Sequence, residues 1–198
     1  MKQPFLTIIT RCYKRPDRLK KNMQSLKNQM DQDWQQIFIV DDVGKGLHWA
    51  NKQFYVHRSR AKGKYVMLMD DDDYIQSNEF IASLKTTVEV NNCPDVIMLR
   101  TRICGAIYPS DEFWRKYPIA GHIGGGCIIT KNEVFQKYIE SFGAPRMGDF
   151  YYIKSIFDEG KYNIYWWDNV GIISEKWSHA KPGTGNVAVP REIYGEYG

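Results

Sequence analysis

Apolar positions fall into two patterns along the chain: short unbroken runs, and stripes that recur every three or four residues. Phe5–Thr10 (FLTIIT), Gln36–Val40 (QIFIV) and Tyr65–Met69 (YVMLM) are runs of β-branched and large apolar side chains, and they read as buried strands. After the first run, Leu19, Met23, Leu26 and Met30 recur at spacings of four, three and four. That spacing predicts a helix burying one stripe, with Pro16 in its first turn. Leu47–Arg60 and Asn78–Val90 predict two more helices, the first broken by Ala61-Lys62-Gly63-Lys64, and Asp95–Arg100 starts a fourth strand. The first hundred residues thus read β-α-β-α-β-α-β, the order of a parallel sheet with covering helices.

The second half is less regular. Gly124-Gly125-Gly126 precedes a strand at Cys127–Thr130 and a helix at Asn132–Phe142. Asp149–Glu159 predicts a further helix, stopped by Gly160 in the C-cap position. Tyr162–Trp167 and Val170–Ile173 are strand-like, and a Gly- and Pro-rich loop runs from Lys181. No internal repeat and no linker divides the chain. Its 198 residues suit one domain able to bury a real core.

Composition changes this picture little. Thirteen Tyr, nine Phe and six Trp fill a core or stack on bases and sugar rings, and the sequence leaves both readings open. No apolar run approaches the roughly 20 residues that span a membrane, and Met1–Thr10 shows no signal-peptide pattern, so the expected location is cytoplasmic. The four cysteines form no C-x-x-C pair and read as free thiols. A net charge of +4 is too small to argue for nucleic acid, but it suits an anionic ligand or peripheral contact with a membrane surface.

The chemistry lies at the strand ends. Open α/β sheets bind ligands at the carboxyl ends of their strands, and two of these runs end in acid, at Asp41-Asp42 and Asp70-Asp71-Asp72-Asp73. Consecutive aspartates repel one another. A hard divalent cation, Mg²⁺ or Mn²⁺, prefers oxygen ligands and would cancel that repulsion. Such an ion takes one or two protein carboxylates and leaves its other positions to phosphate oxygens, which suits a nucleoside diphosphate. The competing reading is a solvated acidic turn that caps the next helix.

FLTIITRCYKRPDRL, then QQIFIVDD, then AKGKYVMLMDDDDYI resemble, in order and spacing, family 2 glycosyltransferases of the GT-A fold. The resemblance is clear over residues 5–80 and weaker from 120 to 181. It implies an α/β, Rossmann-like single domain with a mainly parallel mixed sheet flanked by helices. The domain would span 1–181, with a nucleotide-sugar half at 1–100, an acceptor half at 101–181 and a flexible tail at 182–198. By the same resemblance, Asp70 and Asp71 face the donor ribose and Asp72 ligates the metal. Thr10, Arg11, Cys12, Tyr13 and Arg15 line the donor pocket, with Asp41 or Asp42 receiving base or ribose donors. Tyr13 stacks on the base or belongs to the core. Lys45, Arg58 and Arg60 are diphosphate partners or plain surface charge. Relatives often carry G-S-x-D after V-D-D, where this chain has Val43-Gly44-Lys45-Gly46, and the A-R-N-x-G element before the third run is missing.

On the acceptor side, an inverting transfer needs a base for the acceptor hydroxyl while the metal stabilises the leaving diphosphate. The family's motif falls at Arg146–Lys154, making Asp149 the candidate base, with an ordinary helix N-cap as its rival. Gly148 stands where the family usually has a further acid. Asp111 and Glu112 are alternative bases. Gly124-Gly125-Gly126 reads equally as a close approach to the donor or as a tight turn. His179 is a candidate metal ligand from a closing loop that includes Trp177 and Lys181.

The expected reaction moves a sugar from a nucleoside-diphosphate sugar, with UDP the commonest nucleotide among relatives, to a glycan, lipid-linked or other hydroxyl acceptor. The chain is short for the family, so a partner protein or oligomer is expected to complete the acceptor site. Two rivals stand beside this reading. A sugar-phosphate nucleotidyltransferase carries a Gly-rich loop after its first strand, and Arg11–Arg15 contains no glycine. A catalytically silent nucleotide-sugar-binding module would keep the fold alone.

Overall fold

The first strand, β1 (Leu6–Cys12), is buried along nearly its whole length and enters helix α1 (Pro16–Lys27) through the short connection Tyr13-Lys14-Arg15. The computed structural model describes residues 3–174. Pro16 opens α1, where its missing N–H costs nothing, and Asp17 in the first turn with Lys27 in the last complements the helix dipole. Leu19, Asn22, Met23 and Leu26 form the buried face. Met30, expected as the fourth member of that stripe, lies beyond the helix end and is 68% exposed. The helix stops at Asn28, and the Met30 N–H is donated instead to the Asn78 carbonyl at 2.8 Å.

Strand β2 (Trp34–Val40) and helix α2 (Leu47–Val56) come next, then a 3₁₀ turn at Arg58–Arg60 where the sequence predicts continuing helix. Strand β3 (Tyr65–Asp70) ends in the acidic run, and β4 (Asp73–Ile75) leaves it at once. Helix α3 (Phe80–Val90) leads to β5 (Val96–Ile103) and the short β6 (Ala106–Tyr108). A 3₁₀ turn at Gly125–Cys127 precedes β7 (Ile128–Lys131), then α4 (Asn132–Tyr138), α5 (Gly148–Asp158) and β8 (Ile164–Ser174).

The sheet order is β2-β1-β3-β7-β5-β8-β4, with β6 paired to β5. Strands β2, β1 and β3 are parallel, as the β-α-β reading requires. The fourth strand of that reading, β5, does not join β3 directly. Strand β7 stands between them, antiparallel to both. Strand β8 is one strand, not two, because it runs beside β5 through an irregularity: Met98 pairs with Trp166, and Arg100 with Val170. The extra β8 residues, Asp168 among them, bulge outward there.

Both faces of the sheet are covered, which is why β3 reads as unbroken apolar sequence. Its side chains still alternate. Tyr65, Met67 and Met69 pack with Ile81, Leu84 and Val88 of α3, whereas Val66 and Leu68 join Phe54, Phe135, Tyr152 and Ile156 from α2, α4 and α5. A smaller cluster of Cys12, Leu19 and Met23 lies under α1. Among the described residues, no helix is long and apolar enough to cross a membrane.

Candidate functional site

The carboxyl ends of β1 and β3 lie side by side, with Arg11 in register with Asp70. From that pairing the acidic run turns back on itself. The Asp70 N–H is donated to the Asp73 carboxylate at 3.1 Å, and the Asn22 side-chain amide donates to the Asp70 and Asp73 carbonyls at 3.0 and 2.8 Å. Asn22 is wholly buried, and its own side-chain oxygen accepts from Gln36 at 2.8 Å. It clamps the acidic turn to α1. The apolar stripe of Leu19, Met23 and Leu26 does not announce it, although a polar residue three positions after Leu19 falls on the same face.

The aspartates differ in their surroundings. Asp70 receives Arg11 through Nε at 2.8 Å and Nη2 at 2.7 Å. Arg11 also donates to the Asn51 side chain, and its guanidinium lies over the Phe54 ring at 5.0 Å and near the Phe142 ring at 5.9 Å. Arg11, expected in the donor pocket, is therefore built into the packing between β1, β3 and α2. Asp71 and Asp72 are both buried and both pair with Arg15, while Arg18 stands 3.7 Å from Asp72. The Tyr13 N–H is donated to Asp71 at 2.8 Å. Burial pushes the Asp71 carboxyl up to about 7, against the pull of Arg15 and the Tyr13 N–H, with Asp72 and Asp70 adding to the rise. Burial lowers the Arg15 guanidinium, but Asp71 and Asp72 outweigh it and raise it overall.

Three arginines thus supply the compensation that the sequence assigned to a cation. Asp72 nevertheless keeps one oxygen in reserve. Its Oδ1 is buried and has no hydrogen-bond partner among the described residues. Buried carboxylate oxygens are costly to leave unpaired, and one unpartnered oxygen suits an ion that draws its other ligands from phosphate and water. No group of three or more His, Cys, Asp or Glu among the described residues is arranged to hold a metal by itself. His179, Trp177, Lys181 and the 182–198 segment lie outside the described residues.

The remaining residues expected in the donor pocket divide between surface and interior. Tyr13 is half-buried, and its ring lies against the turn after β2. That turn is shaped by Asp41, whose carboxylate accepts the N–H groups of Val43, Gly44 and Lys45 at 3.2, 2.8 and 2.7 Å. Gly44 takes φ +85°, and a Cβ there would stand 2.3 Å from the Tyr13 hydroxyl, so both its backbone and its lack of a side chain are needed. Asp41 is committed to this turn, whereas Asp42 is exposed beside it. Thr10 is wholly buried, with its hydroxyl accepting from Gln36 at 2.9 Å, and Cys12 packs with Leu19 and Met23. Both side chains face the layer under α1 rather than a ligand surface. Arg58 stacks on Tyr55 at 3.8 Å, Lys45 stands over Trp49 at 4.5 Å, and Arg60 bonds the Phe38 carbonyl at 3.5 Å.

Among the residues expected to border the acceptor, the Gly125–Cys127 turn packs against β3 and β5. A Cβ on Gly126 would meet the Thr101 hydroxyl at 3.3 Å, so close packing within the chain accounts for this glycine. Cys127 is buried, and burial pushes its thiol up to about 11, with Asp149 among the charges that add to the rise. The start of α5 therefore stands beside the turn that borders the end of β3. Asp149 is half-buried and accepts the Phe150 N–H at 2.9 Å, but it is not the N-cap. That position belongs to Met147, in the left-handed region at φ 54°. Gly148 has a steric reason: a Cβ would stand 2.3 Å from the Phe142 carbonyl oxygen, leaving no room for the acid that the family resemblance leads one to expect there. Asp111 and Glu112 are exposed, Asp111 bonding Arg100 at 2.7 Å.

No protein-family model matches the sequence, and no curated protein matches it by sequence. Solved structures do resemble the fold. S. aureus TarS 1-349 in complex with UDP-GlcNAc matches with a TM-score of 0.65 and 12% identity, over 96% of this chain and 64% of that one. The mannosyltransferase PcManGT from Pyrobaculum calidifontis, in complex with GDP-Man and Mn²⁺, matches at 0.61 and 12%, over 90% and 59%. A glycosyltransferase involved in glycosylation of the major capsid of PBCV-1 matches at 0.58 and 10%, over 88% and 95%. The chain spans less than two thirds of the TarS chains, from 36% to 64% of their lengths. These likenesses concern the fold, which is the α/β GT-A fold of glycosyltransferases.

Proposed function

We propose that this chain is a metal-dependent, inverting glycosyltransferase of family 2, moving a sugar from a nucleoside-diphosphate sugar to a hydroxyl acceptor. The observation that carries the reading is Asp72. Its carboxylate is buried at the carboxyl end of a parallel strand, where such sheets take nucleotides, and one of its oxygens has no partner among the described residues. Two of the resembling structures are complexes with UDP-GlcNAc and with GDP-Man and Mn²⁺, which supports a nucleotide-sugar donor and a divalent ion. UDP is the nucleotide we propose.

Asp72 would hold Mn²⁺ or Mg²⁺, with His179 as a second ligand. When bound, the ion supplies charge to stabilise the leaving diphosphate. Tyr13 and Asp42 would border the base and ribose, beside the turn that Asp41 shapes. Asp149 would act as the base: it takes the proton of the acceptor hydroxyl as that oxygen bonds to the anomeric carbon and the bond to the diphosphate breaks. It stands in the first turn of α5, close to where that helix begins. A glycan, lipid-linked or other hydroxyl compound would be the acceptor, with a partner protein completing its site.

Calorimetric titration of UDP, GDP and their sugar conjugates, with Mn²⁺ and with EDTA, tests this on the wild type and Asp72→Ala. Metal-dependent binding of one nucleotide, abolished in the variant, is expected. Absence of binding under every condition overturns the donor site. Binding without turnover on any hydroxyl acceptor would leave a silent module of the same fold.

A further inference from the structure

The acidic turn holds two kinds of arginine. Arg11 is locked: Nε and Nη2 both engage Asp70, Nη1 engages Asn51, and aromatic rings lie against the guanidinium. Arg15 is held less completely. It reaches Asp71 through Nη2 and Asp72 through Nη1, but its Nε is buried without a hydrogen-bond partner among the described residues, and Asp72 Oδ1 also lacks one among them. The side chain of Arg15 is 33% exposed, whereas those of its two aspartates are 1% and 0% exposed. Arg15 therefore forms the solvent side of the cluster, covering carboxylates that are themselves shut away from water. It comes from the residue just before α1, outside the regular helix.

Charge limits what this arrangement can accept. Arg15 pairs with both Asp71 and Asp72, and Arg18 stands near Asp72. A divalent ion arriving at Asp72 with Arg15 in place would meet a like charge a few ångströms away, and the two would repel. We propose that Arg15 is a built-in counter-ion that yields Asp72 to the divalent ion and turns to the diphosphate of the nucleotide, so that ion and nucleotide bind with positive cooperativity. This rests on the proposed donor site and adds a specific role for one residue. In the absence of nucleotide, Arg15 competes with the ion. In its presence, the phosphates offer Arg15 a new partner suited to its planar fork. The coupling is reciprocal, each ligand raising affinity for the other by the same factor.

The test is Mn²⁺ binding to the full chain, followed by the electron paramagnetic resonance signal of free Mn²⁺, for the wild type and Arg15→Gln. Without nucleotide, R15Q is expected to bind Mn²⁺ roughly tenfold more tightly than the wild type. Addition of UDP should tighten Mn²⁺ binding to the wild type by a similar factor and have a smaller effect on R15Q. Equal affinity of the two proteins without nucleotide, including no measurable binding by either, overturns the proposal. If R15Q does not stay folded, Arg15→Lys replaces it. A lysine cannot span both carboxylates, so severalfold tighter Mn²⁺ binding is expected, and wild-type affinity overturns the proposal. Failure of UDP to bind the wild type would strike the donor reading instead, and the nucleotide-free comparison would still decide whether Arg15 competes for the ion.

Discussion

Two arginine–aspartate clusters in this molecule are built in opposite senses. At the end of β3 the acids are sequestered and Arg15 stands toward solvent. At the β5–β8 irregularity it is Arg100 that is sequestered, with a side chain 9% exposed, while Asp111 and Asp168 are 94% and 62% exposed. Arg100 also lies over the Trp114 ring at 4.5 Å and donates to the Pro109 carbonyl at 3.3 Å. A cluster whose cation is buried fastens the chain, since acids in water lose little when they let go. A cluster whose acids are buried keeps its carboxyl groups behind a movable cover. The cluster around Arg100 ties Pro109, Asp111 and Trp114 to β5, and the cluster around Arg15 suits a site that exchanges cations.

The largest effect that can sharpen this contrast comes from Asp71. Its carboxyl sits at about 7 in the fold, against an ordinary value of 3.8, so the folded chain holds a proton that the unfolded chain releases between those values. Stability therefore falls as pH rises through that window and levels off above it, by on the order of 4 kcal/mol over the whole range. Asp71→Asn should remove the slope, as read from urea denaturation across the window. A slope unchanged in the variant would mean that the acid is not held in its neutral form.

Next in size is Arg11→Ala, which strips Asp70 and Asn51 of their partner and opens space beside Phe54. A loss of about 3 kcal/mol is expected, visible as a lower denaturation midpoint. A smaller loss, about 2 kcal/mol, is expected for Arg100→Ala, through lost packing on Trp114 and the unpaired Pro109 carbonyl. Asp111→Asn, at the exposed end of the same cluster, should cost less than about 0.5 kcal/mol. If D111N matched R100A, the view of Arg100 as the fastening member would be wrong.

Much of the first hundred residues was legible because the signals there are local. Apolar runs bounded by acids can be read without knowing what packs on them, and β1, β2 and β3 lie close to where FLTIIT, QIFIV and YVMLM stand. The three-residue strands β4 and β6 carry too few positions for a period to show. The insertion of β7 between β3 and β5 depends on residues far apart in the chain and leaves no trace in either segment. Within the site, the acidic run announced itself, but what balances it did not. Arg11 and Arg15 read as donor-pocket residues and Arg18 carries no signal of its own; only the alignment of β1 with β3 brings these cations to the aspartates. Asp41 likewise reads as a ligand group in the sequence, yet both its oxygens are spent on the turn after it.

The position of β7 also bears on how the chain reaches this state. During synthesis, β1, β2 and β3 emerge early and pair with one another, but the outer edge of β3 has no strand to receive it until residues 128–131 appear. Strand β5 is made in the interval and must wait beside an unfilled slot, and β8 comes later still. An unpaired edge of Tyr65, Val66 and Met67 is an invitation to foreign strands. The four-residue β7 is thus the keystone of assembly: joining the two halves of the sheet, and with it protection of the nascent chain, hangs on the shortest of its inner strands.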